Sequence, residues 1–317
     1  MSSVTTSTGA LSGALQLDGM AQAELIGLAS ISLTGVSDGI TRPSGSLLSS
    51  ADLLLQAPVI APSTYSDYQI RADGHVVQFA LAGEMPQQPM SALGSLSVFA
   101  RDIVQAGRLW APFGQIDLQA SAQLVLADGS LTSVAATADT VLPFGKILNG
   151  RSWVYDLDSA NVPDGQKLLA ELPVKSIRTS GASVTMAAGA RVDVAGGGDL
   201  QAYEFTVGPG GSRDILSDEG MYAVLPGYQG GVAPSDAQEA AGFKAAVGSA
   251  VYLSGVGRID GGAGLADGVY TLLPAHYALL PGAFAVRIDT GVLNVTPGAS
   301  VVLLDEVEKA HPDVFNI

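Results

Sequence analysis

The sequence of 317 residues contains no cysteine, few charged residues and few aromatic residues. The lack of cysteine excludes a disulfide framework, and it suits a protein that crosses an envelope unfolded into an oxidising compartment. Charged residues make up only 14% of the chain, whereas an average globular domain has roughly 25%. The net charge of −15 excludes nucleic-acid binding and adhesion to anionic lipid through a basic face.

Long apolar runs are also absent. A membrane-spanning helix needs about 18 or more consecutive apolar residues, and no such run occurs, so the sequence predicts no membrane span. The most apolar segment, Tyr270–Val286, is interrupted by His276 and by two prolines. The N-terminal stretch MSSVTTSTGALSGALQLDG has no basic region and no continuous apolar core, so we expect no signal peptide in this chain.

Glycine and short alternating runs are abundant instead, with 39 glycines along the chain. Apolar residues alternate with polar ones in bursts of three to five residues, which is typical of strands with one buried face. Glycine-containing corners separate the bursts. The predicted inward residues are Leu96, Val98, Ile116, Leu118, Leu124, Leu126, Val184, Met186, Val192 and Val194, and the predicted corners are Gly107, Gly114 and Asp128–Gly129.

Strand–turn units without intervening helices predict an all-β fold, and they leave a sandwich, a barrel or a solenoid. Small inward residues, frequent glycine corners and repetition favour a right-handed parallel β-helix, in which each coil stacks on the previous one. Strands in such a solenoid pair with the coils above and below, so backbone groups are satisfied without helices.

The regularity decreases after Asn149. We therefore predict β-helical coils over residues 1–149, and a less regular β-rich continuation with short irregular or helical insertions over 150–299. Two segments favour a helix. One is Gln166–Leu172, and the other is Ser235–Val247, where Ser235 is a candidate N-cap and acids occupy the first turn.

Three related phrases begin with tyrosine and end in proline followed by a small residue. They are Tyr222–Gly227, Tyr270–Ala275 and Tyr277–Gly282. Each predicts a short buried strand before a proline, which must then leave the hydrogen-bonded ladder. Two interpretations remain open: repeated strand-to-corner transitions, or a ligand ledge for sugar built by Tyr222, Tyr270 and Tyr277.

Catalytic and metal-binding patterns are missing. The three histidines, His75, His276 and His311, are far apart, and a zinc site needs three or four grouped ligands. The letters of a G-x-S-x-G motif occur at residues 35–39 (GVSDG), but no helix is predicted after them to form a nucleophile elbow, so without cysteine no nucleophile stands out. The sequence therefore predicts no catalytic residue, no metal and no cofactor, and we expect His276 to be a packed, hydrogen-bonded imidazole.

One set of acidic and basic residues can be compared with the active sites of polysaccharide lyases. Secreted β-helices with lyase activity combine a cluster of calcium-binding aspartates with a basic residue on one face. The nearest approximation is Asp193, Asp199 and Asp214 with Arg191 and Arg213. The alternative is that these five are solvated corner residues.

Two longer segments carry a family resemblance. The run GRLWAPFGQIDLQASAQLVLADGSLTSVAA resembles coils of large exoproteins of the filamentous haemagglutinin family, which are secreted by the two-partner route. The run ASVTMAAGARVDVAGGGDLQAYEFTVGPGGSRDIL is similar to a later region of the same exoproteins. The similarity covers roughly Gly9 to Val295, although no secretion domain of the family is recognisable at the amino terminus.

The resemblance implies a β-helical shaft that is secreted or displayed on a bacterial surface and has no catalytic function. It further implies a receptor or glycan on a host or neighbouring cell as the partner, and an outer-membrane transporter for the full-length protein. A parallel solenoid without its amino-terminal cap has an open strand edge. We therefore expect this fragment to self-associate through its edges.

The last residues, SVVLLDEVEKAHPDVFNI, differ from the rest of the chain. They closely resemble the Walker B strand and following helix of Clp-type AAA+ unfoldases. In that family the position matching Asp305 supports magnesium, and the position matching Glu306 polarises the attacking water. No G-x-x-x-x-G-K-[ST] motif occurs upstream to hold the phosphates, so we expect this pair to be inert.

We interpret residues 300–317 as a foreign segment, a loose strand and helix fused to an exoprotein. The alternative is a strand at Val301–Leu304 and a terminal helix by accident of sequence. Three function hypotheses follow from the whole chain: a non-catalytic adhesin fragment, a carbohydrate-active secreted β-helix similar to polysaccharide lyases, and a fragment of an AAA+ ATPase.

Overall fold

The computed structural model describes residues 2–6, 10–18, 20–27, 30–36, 42–84, 89–137, 141–156, 166–168, 174–228, 250–254, 265–288 and 302–305. Most of these residues lie in β-strands, and the helices among them are two short 3-10 helices, Ile215–Ser217 and Ala275–Leu279. The protein is therefore all-β. Neither of these helices has the length and apolarity needed to cross a membrane.

The strands within residues 2–133 belong to two parallel sheets, here named sheet A and sheet B. We call one run of the chain through the sheets a pass. The strands of this part are β1 (Ser2–Thr6), β2 (Ala10–Ser12), β3 (Ala14–Leu17), β4 (Gln22–Gly27), β5 (Ile31–Thr34), β6 (Ser44–Ser49), β7 (Asp52–Ala57), β8 (Ile60–Pro62), β9 (Asp67–Leu81), β10 (Ser95–Ala106), β11 (Arg108–Trp110), β12 (Gln115–Leu126) and β13 (Leu131–Ser133).

The remaining strands include three that return to sheets A and B. Their bounds are β14 (Val141–Leu148), β15 (Ser152–Asp156), β16 (Gln166–Leu168), β17 (Ser176–Ser180), β18 (Ser183–Met186), β19 (Arg191–Asp193), β20 (Asp199–Tyr203), β21 (Met221–Val224), β22 (Ala250–Leu253), β23 (Gly268–Thr271), β24 (Leu273–Pro274), β25 (Phe284–Arg287) and β26 (Val302–Asp305). β17 and β18 pair with β12 in sheet A, and β19 pairs with β13 in sheet B.

In sheet A the described strands follow the order β1-β4-β7-β9-β10-β12-β17. In the same sheet β3 pairs with β6, β6 also pairs with β9, and β18 pairs with β12. In sheet B the order is β19-β13-β11-β8-β5-β2. Every strand pair of both sheets is parallel. Equivalent residues of successive passes therefore lie side by side, with a register shift in β10 between Ala100 and Asp102.

One buried ladder illustrates this stacking. Leu25, Leu55, Phe79, Gln105 and Leu126 are consecutive Cα partners across sheet A, and all five side chains are buried. The predicted inward residues of β10 and β12 are confirmed as core residues, with exposures of 0 to 4%. Two residues along a strand return to the same face, so the period of two in the sequence becomes a filled interior.

Gln105 is the polar member of that ladder, and its amide is fully engaged. Its Nε2 donates to the carbonyl oxygens of Gly107 (3.2 Å) and Leu131 (2.9 Å) and to Oγ1 of Thr132 (3.1 Å). Its Oε1 accepts from the backbone N–H of Gly107 at 3.1 Å. A buried amide is tolerated when its donors and acceptor have partners, and here it joins sheet A to the next pass of sheet B.

The other strands form smaller sheets beside the stack. Sheet C contains β16-β15-β14-β20, sheet D contains β24-β21-β25-β26, and β22 pairs with β23. The 3-10 helix Ala275–Leu279 connects two of them, because His276 stacks on Tyr203 of sheet C with ring centroids 5.9 Å apart. The ring of Tyr277 is tilted against that of His276, with centroids 4.9 Å apart.

Three expectations for the second half are wrong. The predicted inward residues Val184, Met186, Val192 and Val194 are 39 to 57% exposed, because β18 and β19 have a described strand neighbour on one side only. Residues 166–168 form the strand β16, paired antiparallel with β15, whereas a helix was expected over Gln166–Leu172. The expected strand at Tyr277 is part of the 3-10 helix, because a tight turn between Pro274 and Pro281 lets the N–H of Leu280 reach the carbonyl of Tyr277. The predicted helix at Ser235–Val247 lies outside the described residues.

Candidate ligand-binding face

The outward face of sheet A carries polar side chains in rows. β6, β9, β10 and β12 each begin with a polar–x–polar triplet, and side chains alternate between the two faces of a strand. The register aligns these triplets across the sheet, so each row runs perpendicular to the strands. The first row is Ser44, Asp67, Ser95 and Gln115, and the second is Ser46, Gln69, Ser97 and Asp117.

A groove of about 370 Å³ opens over the first two rows. Its volume lies at the lower end of the range for small-molecule sites, roughly 300–1,000 Å³. Hydroxyl and amide groups can both donate and accept hydrogen bonds, which matches the chemistry of sugar hydroxyls. The groove is lined by Ala14, Ser44, Gly45, Ser46, Asp67, Tyr68, Gln69, Ser95 and Ser97.

Gly45 and Tyr68 are register partners within the groove. A Cβ placed on Gly45 would lie 2.6 Å from the ring of Tyr68, so the ring occupies the space that any other side chain at this position would need. Burial raises the pKa of Tyr68 well above the ordinary range of tyrosine. Its hydroxyl has no hydrogen-bond partner among the described residues, which is costly for a buried polar atom.

Arg42 fixes one end of the groove. Its Nε donates to the carbonyl of Tyr65 at 2.9 Å, and its Nη2 donates to the carbonyl of Ser66 at 3.4 Å. Nη1 forms an ion pair with Asp67 at 3.2 Å, and the guanidinium lies 4.7 Å from the ring centroid of Tyr65. The first row is therefore held by a cation that spans successive passes, and Asp67 is partly neutralised.

A third row supplies an aromatic ring beside the groove. Arg71 and Phe99 are Cα partners, and the guanidinium of Arg71 lies 4.5 Å from the ring centroid of Phe99. Arg71 also pairs with Asp73 at 3.3 Å. Flat rings beside polar side chains are suited to binding sugars, which have apolar and hydroxylated faces.

The predicted tyrosine ledge is not assembled as three exposed rings. Tyr222 and Tyr277 are buried, with exposures of 7% and 2%. Tyr222 packs in one apolar cluster with Tyr270, whereas Tyr277 belongs to a second cluster. The hydroxyl of Tyr277 donates to the carbonyl of Met90 at 3.2 Å, and that of Tyr270 to Ala266 at 2.7 Å. Tyr277 is therefore not grouped with the other two rings.

The five residues compared with a lyase site form local pairs and a cap. Arg191 and Asp193 face each other along β19 at 2.6 Å, while Arg213 pairs with Asp218 at 2.8 Å. Asp214 caps the first 3-10 helix by accepting from the backbone N–H of Leu216. Asp199 is the first residue of β20. In the part of the chain that the structure describes, no three histidine or acidic side chains are grouped as metal ligands.

His75 and His276 lie in separate environments. His75 lies 3.5 Å from Asp52, where the same carboxylate accepts from the backbone N–H of Val76. His276 is buried and its ring contacts those of Tyr203 and Tyr277, as expected for a packed imidazole. His311 lies outside the described residues.

The Walker B-like segment adds a strand to sheet D. β26 pairs antiparallel with β25, and Asp305 is the Cα partner of Phe284. Glu306 and the predicted helix after it lie outside the described residues, so the geometry of the acidic pair is not defined. The strand itself agrees with the apolar run that precedes Asp305.

Comparisons with protein-family models, with curated proteins and with solved structures found no match for this chain. No relative therefore indicates a ligand for the groove. Sequence reasoning missed its residues because it followed the apolar members of the alternating runs. The signal was present in the polar members: SGS, DYQ, SLS and QID open four successive strands of sheet A.

Proposed function

We propose that this chain is a non-catalytic segment of a secreted or surface-displayed bacterial adhesin, in which the passes are coils of a right-handed parallel β-helix. The stacked parallel register of sheets A and B supports this architecture, since a solenoid satisfies its strands from the neighbouring coils. The full-length protein would use an outer-membrane transporter for export.

The binding activity resides, in this proposal, in the groove on sheet A. The observation that carries it is the alignment of Ser44, Ser46, Gln69, Ser95 and Ser97 around one groove. These groups are uncharged, and Asp67, the acid that lines the groove, is paired with Arg42. We therefore propose a neutral glycan as the ligand, with its hydroxyls on the two rows and one sugar face near Phe99.

The test is binding of the full chain to immobilised neutral and sialylated oligosaccharides. Changing Gln69→Ala together with Ser97→Ala removes two hydrogen-bonding groups, and at about 0.5–1.5 kcal/mol each the affinity should fall roughly 5- to 150-fold. The matched control is Gln22→Ala, an exposed strand residue outside the groove. Absence of binding by the unaltered chain, or equal weakening by the control, would contradict the assignment.

A further inference from the structure

The last pass through sheets A and B, residues 174–194, is here named the terminal pass. It contains β17, β18 and β19. Within the described residues, β17 and β18 pair only with β12, and β19 pairs only with β13. The opposite edge of each strand therefore offers backbone donors and acceptors to an added strand, the geometry used in β-strand addition.

The terminal pass also exposes apolar side chains at ladder positions that are buried one pass earlier. Val184 is 46% exposed, whereas its partner Leu124 is 0% exposed. Met186 is 53% exposed, whereas its partner Leu126 is 4% exposed. In sheet B, Val192 is 39% exposed. These side chains occupy core ladder positions at the last strands described in sheets A and B.

The charge of the terminal pass is opposite to that of the protein as a whole. Residues 174–194 contain Lys175, Arg178 and Arg191 but only one acid, Asp193, in a chain with a net charge of −15. The described residues up to Val36, at the other end of the stack, contain two acids, Asp18 and Glu24, and no lysine or arginine. The two ends of the stack are therefore electrostatically complementary.

The register of the two ends is complementary as well. The ladder that ends at Met186 runs through Leu126, Gln105, Phe79, Leu55 and Leu25 to Val4 of β1. Within the described residues β1 pairs only with β4. If β1 of another copy lay beside β18 in the same direction, Val4 would follow Met186 as the next member of the ladder.

We propose that the terminal pass binds a second copy of this chain head to tail, with β1 and β2 of one copy adding to β18 and β19 of the other. The contact joins two different surfaces, so it is heterologous and extends into open chains of copies. The contact uses the strand edges of the two end passes, whereas the groove lies on the outward face of sheet A and reaches β3 only at Ala14.

The experiment measures the mass of the full chain by sedimentation velocity over a series of concentrations. The average mass should rise with concentration, and high salt should weaken the association because the charges are exposed. Met186→Glu introduces an acid that faces the acidic end of the next copy, and association should weaken at least about tenfold. Val207→Glu is the matched control, since Val207 is 62% exposed and lies outside the terminal pass.

A mixing experiment tests the head-to-tail geometry. Val4→Glu should block the amino-terminal face while the terminal pass stays intact, so each of the two variants alone should remain monomeric. An equimolar mixture should form dimers and nothing larger, because one copy supplies an intact β1 and the other an intact terminal pass. This mixture also shows that Met186→Glu is folded.

The inference is overturned if the unaltered chain stays monomeric, if Met186→Glu associates unchanged, or if the mixture yields no dimer. Dimers of Val4→Glu alone would indicate contact between two terminal passes and would equally contradict the proposal. Glycan binding by monomeric Met186→Glu is measured separately, so failure of the groove and failure of the end contact are distinguishable.

Discussion

Leu124 and Val184 occupy the same ladder of sheet A, one pass apart, but their environments differ completely. Leu124 lies between β10 and β18 and is 0% exposed, whereas Val184 has a described neighbour on one side only and is 46% exposed. Both segments show the same alternation of apolar and polar residues. The strand pattern therefore determines which face points inward, and the next pass determines whether that face is buried.

The largest expected effect is the difference in stability between truncating Leu124 and truncating Val184. Leu124→Ala should lower the free energy of unfolding by about 2–5 kcal/mol, because it leaves a cavity in a closed layer. Val184→Ala should change it by no more than about 0.5 kcal/mol, since the side chain is half exposed. Urea unfolding of the two variants checks the difference, and similar losses would show that the terminal pass is covered.

The polar member of the central ladder gives a second, smaller effect. Gln105→Leu keeps the volume but leaves the N–H of Gly107 and the hydroxyl of Thr132 without the amide, so we expect a loss of about 1–3 kcal/mol. Gln78→Leu is the control, because Gln78 is exposed on the adjacent strand β9. Equal stability of the two variants in urea would mean that the Gln105 amide is not structurally required.

The smallest effect concerns the hydroxyl beneath the groove. Tyr68→Phe removes a buried group that lacks a partner among the described residues, so it should be neutral or stabilise by up to about 1 kcal/mol at neutral pH. Burial raises the pKa of Tyr68 in the folded state. Ionisation of this hydroxyl therefore leaves the free energy of unfolding unchanged below about pH 10, the ordinary pKa of tyrosine. The free energy of unfolding falls as the pH rises from there toward the raised value.

The measurement for Tyr68 is unfolding by urea at a series of pH values. The unaltered chain should lose stability above about pH 10, and Tyr68→Phe should lose less over the same interval. Parallel curves for the two proteins would show that the hydroxyl of Tyr68 reaches solvent or a partner.

The all-β class and the interior of the central passes were predictable because alternation, corner glycines and burial all agree there. Gly129, for example, follows Asp128 at a turn and has a positive φ of 73°, as its position between two strands indicates. The exposure of Val184 and Met186 was not predictable, because it depends on which segment pairs with β18 and not on β18 itself.

The candidate groove was not predictable from the sequence, for a related reason. Ser46, Gln69 and Ser97 are far apart in the sequence, and they become neighbours only through the register of β6, β9 and β10. The tyrosine phrases, in contrast, looked alike in sequence but fold differently: Tyr222 lies in a strand and Tyr277 in a 3-10 helix. Local similarity could not reveal which of them pack into the interior.

The register of sheet A underlies the ladders, the groove and the end contact, and a chain without cysteine allows it to be measured directly. Cysteines at Gln69 and Ser97, which are Cα partners on adjacent strands, should form an intramolecular disulfide on oxidation, because a disulfide requires Cα atoms about 4.4–6.8 Å apart. Cysteines at Ser46 and Ser97, which β9 separates, should remain reduced. A disulfide between Ser46 and Ser97, or none between Gln69 and Ser97, would contradict the register.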